Sequence, residues 1–149
     1  MYAFVDRPVE SLCNSGRFML WAMRGWARAA SQRTCPPQAM ANAFSRMGAL
    51  PAMPDFHIAM ALINRDALEK LAVAPIEHPH IIEDEAVLIG IWRGLASADP
   101  DRTRATLALL VRKESVQPIA RAMSAAAAKL VAAGFDLAEL SVKTEKEVK

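Results

Sequence analysis

The chain has 149 residues, 53% of them apolar, and a formal net charge of +2, which fits one domain that buries its own core without a metal or disulfide framework. Its longest apolar runs, 86–92 and 106–111, fall far short of the ~20 residues of a membrane-crossing helix. The charge lies in blocks, +4 over 1–54, −6 over 55–101 and +4 over 102–149; this argues against the single basic face of a nucleic-acid binder and for pairing within the chain or between copies.

The first residues, Tyr2, Ala3, Phe4, Val5 and Asp6, hold no basic region leading into an apolar one, so no secretory leader is expected and the cytoplasm is the expected compartment. Val9, Leu12, Gly16, Met19, Met23, Trp26 and Ala30 then follow the helical period, which predicts a helix over 9–30, ~34 Å long. Asp6 is the expected cap, with Pro8 where its missing N–H does no harm. This helix has a bulky apolar face, a small face with Ala22, Gly25 and Ala29, and a polar strip of Arg17, Trp21, Arg24 and Arg28. The strip is expected to face solvent or a partner, with the acidic middle of the chain as its counterpart.

A short second helix is predicted from Pro36 and Pro37 to Gly48. Asp55 is expected to cap a third, with Phe56, Met60 and Ile63 inward. Asp66 and Glu69 have the spacing of a second capping signature, so 55–73 is either one helix or two hinged at Asn64. A Pro-punctuated loop covers 74–80. Glu83, Asp84 and Glu85 suit the positive end of a helix dipole, which predicts a fourth helix to about Ser97. Asp99 and Pro100 mark the next start. The run 107–111 is apolar all round and is read as buried helix, although so short a run also fits a strand. An Ala-rich helix follows, with Ile119, Met123, Ala127 and Leu130 inward and Gly134 just past its end. Alternating Lys and Glu over 141–149 predict a frayed tail.

The candidate chemistry is sparse. His78, His80 and Glu83, with His57 from the third helix, have the side chains of a Zn, Fe or Mn site, although the spacing matches no metal signature. Cys35 followed by Pro36 has the form of a thiolate haem ligand, against the plain alternative of a free loop cysteine. Two cysteines do not make a disulfide framework and fit reduced thiols. There is no Gly-x-Ser-x-Gly elbow and no Gly-rich phosphate loop, and the six glycines are scattered, so neither nucleophilic catalysis nor nucleotide hydrolysis is expected. Eight Met and three Trp in so apolar a chain point instead to surplus apolar surface, a partner or a pocket.

The stretches Ser15-Gly16-Arg17-Phe18, Cys35-Pro36, Asp55-Phe56-His57 and Glu83-Asp84-Glu85-Ala86 resemble segments of uncharacterised helical proteins of alphaproteobacteria, a domain of unknown function. That resemblance implies no activity and no catalytic residue. The expectation is therefore an all-α, single-domain orthogonal or up-down bundle over 1–140, with five to seven helices packed around the first and the 107–111 segment. It is expected to be a non-enzymatic protein acting through protein contacts as a homodimer. The alternative is a metal or haem binder using His57, His78, His80, Glu83 and Cys35.

Overall fold

The structure, a computed structural model, describes residues 4–97 and 100–142. These residues form an all-α bundle of six helices: α1 (Asn14–Ser31), α2 (Pro36–Arg46), α3 (Met53–Asp66), α4 (Glu83–Ala96), α5 (Pro100–Leu107) and α6 (Val116–Ala132). Among them there is no strand, only isolated backbone pairs. No described helix is long and apolar enough to cross a membrane.

One core runs through the bundle, and a row of rings marks its axis. Phe135 stacks on Phe18 at 4.5 Å, Phe18 meets Phe44 edge-on at 5.2 Å, Phe44 meets Phe56 at 5.6 Å, and Phe56 lies along Trp92 at 6.0 Å. The row takes one ring from each of α1 to α4 and one from the segment after α6, so each element contributes large apolar area to a shared contact. On α6, Ile119, Met123, Ala127 and Leu130 are buried as expected, and α6 packs most extensively on α3. Gly48 and Gly134 follow α2 and α6 with φ +71° and +92°, a backbone that other residues adopt only under strain.

Three predicted boundaries are corrected, each by a backbone partner distant in sequence. The first helix begins at Asn14, not at Val9. The preceding residues form a short 3-10 turn (Val9–Ser11) and an extended Leu12. Asp6 and Val9 donate to the carbonyls of Ile81 and Pro79 at 2.9 and 2.8 Å, and Cys13 donates to Ser141 at 3.1 Å. These bonds replace the first helical turns, and Asp6, with φ +58°, caps nothing.

The third helix stops at Asp66, so the continuation to Val73 and the hinge at Asn64 are both absent. Ala67 is extended and pairs with Val111. Leu68 donates to the carbonyl of Leu110 at 2.8 Å, and Arg112 donates to that of Asp66 at 2.9 Å. The same pairing ends α5 at Leu107 and turns the chain at 108–110. The 107–111 run is thus neither a continuous helix nor a central one, and Leu109 is 76% exposed while Leu107 and Val111 are buried. Of the expected frayed tail, Val142 pairs with Leu12; 143–149, like Asp99, lie outside the described residues.

Candidate functional site

Residues 68–82 contain no helix and make a connection longer than most within a compact domain. This strap crosses the bundle beside α1 and α4, and its anchor is a buried ion pair. Arg24, 2% exposed, donates from Nε and Nη2 to the two carboxylate oxygens of Glu85, 0% exposed, at 2.7 and 2.9 Å. The remaining guanidinium donors go to the strap backbone, to the carbonyls of His78 at 2.7 Å, His80 at 2.9 Å and Ile76 at 3.4 Å. Glu85 in turn accepts from the backbone N–H of Ala74 at 3.0 Å and of Ile82 at 3.1 Å, and Asp84 accepts from Ala72 at 2.6 Å. Three side chains thus satisfy backbone groups that a loop packed against apolar helices would otherwise leave unpaired.

The strap, the second half of α1 and the second half of α3 enclose a groove of about 940 Å³. Its walls include Ala27 and Ala30 from α1, Met60 and Ile63 from α3, and Leu71 and Ile76 from the strap. Trp26 lines it as well and donates from Nε1 to His57 Nδ1 at 2.9 Å, which requires that nitrogen to be unprotonated. Where the strap leaves α3, Leu68 and Leu109 lie within one residue of a shared backbone bond and are 60% and 76% exposed. These two exposed apolar residues mark a knuckle at the end of the strap.

A second polar cluster sits behind this knuckle. The Asp66 carboxylate accepts from Arg65 Nε and Nη2 at 2.9 and 2.8 Å and from Ser115 Oγ at 2.5 Å. The Arg65 hydrogen bonds, then the Ser115 hydroxyl, hold its carboxyl below the usual 3.8, at about 2, with the Arg65 and Arg112 charges adding and burial opposing. The Asp66–Ser115 bond joins two buried side chains. It ties the end of α3 to the start of α6.

The sequence-predicted residues fall apart into different settings. Arg17 is exposed and bonds Asn14 at 2.8 Å. Trp21 is half-buried against Phe18 and Phe44. Arg24 is buried and fully engaged, and only Arg28 is exposed at the groove. The polar strip is therefore not one open face, because the strap and α4 cover its middle. Its expected acidic counterpart is realised once, as Glu85, and inside the protein.

His78 is half-buried and His80 exposed on the strap, their rings 6.4 Å apart, while Glu83 is exposed on the first turn of α4. His57 is committed to Trp26 on the other side of the groove. Among the described residues no three His, Cys, Asp or Glu side chains gather to hold a metal, which leaves the alternative of a metal site at His57, His78, His80 and Glu83 unsupported. Cys35 is an exposed free thiol in front of α2, and Cys13 is free and half-buried. The Arg24–Glu85 clamp is what the pattern analysis missed. Its signal was an Arg flanked by Leu20, Met23 and Ala27 on an otherwise apolar turn. No protein family, curated protein or solved structure matches this chain.

Proposed function

We propose that this protein works by binding rather than catalysis, through protein–protein contacts, and that its first partner is a second copy of itself in the cytoplasm. The observation that carries the reading is the knuckle, where Leu68 and Leu109 are 60% and 76% exposed yet held on hydrogen-bonded backbone. A rigid apolar pair is a better association site than a mobile one, because less side-chain and loop freedom is lost on contact. Charge supports a two-fold arrangement. Leu68 is followed by Glu69 in the acidic block, and Leu109 precedes Arg112 and Lys113 in the basic block. A two-fold axis at the knuckle sets each acidic edge against the other copy's basic edge. The two free thiols fit a reducing compartment.

Light scattering coupled to size exclusion tests the reading. The expected mass at ~100 µM, a concentration that captures even weak self-association, is twice the chain's 16.2 kDa. The double variant L68E/L109E is expected to return 16.2 kDa with unchanged helical circular dichroism. A wild-type particle of 16.2 kDa, or a double variant that remains a dimer, overturns it.

A further inference from the structure

We propose that the groove between α1, α3 and the strap binds a free long-chain carboxylate, with the alkyl chain on the apolar walls and the headgroup between Arg28 and Lys70. The volume of about 940 Å³ lies within the range of small-molecule sites, roughly 300–1,000 Å³. The walls constrain the body of the ligand. Ala27, Met60, Ile63, Leu71, Ile76 and Leu88 supply the apolar walls of the groove, with Ser31 and Asn64 the uncharged polar side chains beside them. Leu88 is buried and belongs to the rigid α4, whereas Met60 adapts its shape to what lies against it.

The rim constrains the head. Arg28 on α1 and Lys70 on the strap line the same groove from facing elements, and both are exposed. Among the described residues neither has an acidic partner. Arg24 also lines the groove, but its donors are already taken by Glu85 and the strap carbonyls. Anion recognition therefore falls to the two rim cations, opposed only by Glu77 among the lining residues. An apolar body with one anionic end is the ligand chemistry that satisfies both walls and rim, and a neutral hydrocarbon satisfies only the walls.

This site adjoins the Leu68 and Leu109 contact, since Ala67 and Lys70 on either side of Leu68 and Glu69 line it, and the titrations are therefore run on the wild type and on L68E/L109E, in which binding is expected to be unchanged. Isothermal titration with dodecanoate, held below its micelle concentration, is compared with dodecanol. Dodecanoate is expected to bind about tenfold more tightly, and in R28A/K70A the two are expected to agree within about twofold. In A27F, where the ring fills the groove from α1, binding of both is expected to disappear. Absence of dodecanoate binding to the wild type, a preference for it that survives R28A/K70A, or undiminished binding to a folded A27F would each overturn the proposal. Should A27F unfold, the exposed Arg28 and Lys70 positions decide alone.

Discussion

Arg24 shows how much of this architecture hangs on single side chains. Truncating it to Met leaves the Glu85 carboxylate buried without a counter-charge and the carbonyls of His78 and His80 without donors. Loss of one partner of such a pair typically costs ~3–5 kcal/mol. R24M is therefore expected to lose stability on that scale in chemical denaturation, with hydrogen exchange accelerated first at the strap amides of Ala74 and Ile82. R24K is expected to restore only part, because an ammonium cannot make the bidentate contact to Glu85 and still reach two strap carbonyls. Asp66 makes a different, pH-dependent contribution. Its carboxyl sits at about 2 in the folded chain against an ordinary 3.8, so the stabilisation is present above pH ~4 and is lost as pH falls toward 2. The stability difference between wild type and D66N is expected to be constant in neutral solution and to shrink through that window; a difference independent of pH would show that the carboxylate charge is not what matters. Neither role was visible in the pattern of residues. Arg24 has the same helical spacing from Arg17 and Arg28 whether it faces water or an acid, and the spacing of Asp66 and Glu69 imitates a helix cap whose true partner, Ser115, is remote in sequence.

Local chemistry sets most helices, and long-range pairing trims them. The second and sixth helices were legible from end to end, because prolines at or near their starts and a glycine after each end act without reference to the rest of the chain. The first, third and fifth were overextended where the chain exchanges helical bonds for bonds to a distant segment. No periodicity reports such an exchange, since Leu12 and Leu110 are apolar in either conformation. The α4–α5 contact illustrates how tightly neighbouring helices are fitted. A Cβ placed on Gly94 would lie 2.1 Å from Thr103 Oγ1 and 3.0 Å from its Cβ. Thr103 is short and β-branched, with no long side chain to swing aside. G94A is expected to destabilise by ~1–3 kcal/mol, the usual range for overpacking. The added change T103A should recover much of the loss, as read from denaturation midpoints. Equal midpoints for G94A and wild type would mean that the two helices separate freely.

For the whole molecule, the fold class was legible and the site was not. A helical bundle follows from composition and period, whereas a groove forms only when the strap is laid between α1 and α3, and that placement depends on the buried ion pair. The blocks of charge have a corresponding division of labour. One opposite pair, Arg24 and Glu85, is spent inside the bundle, and Lys129 reaches Asp55 across α6 and α3 at 2.6 Å. Glu69, Arg112 and Lys113 remain exposed beside the knuckle. If self-association occurs there, the thermal midpoint rises with protein concentration and falls with salt, since dimer formation stabilises by mass action and exposed charge pairs are screened. A midpoint indifferent to both would argue against the contact.

The backbone bonds that join 6–13 to 79–81 and to 141–142 also order events during synthesis. The segment leading into α1 is translated before its hydrogen-bonding partners, which follow in two later instalments, the second of them after α6. Until then Leu12, wholly buried in the folded protein, lacks its partner Val142, and the nascent chain carries an unsealed edge of its core while α1 to α6 are made.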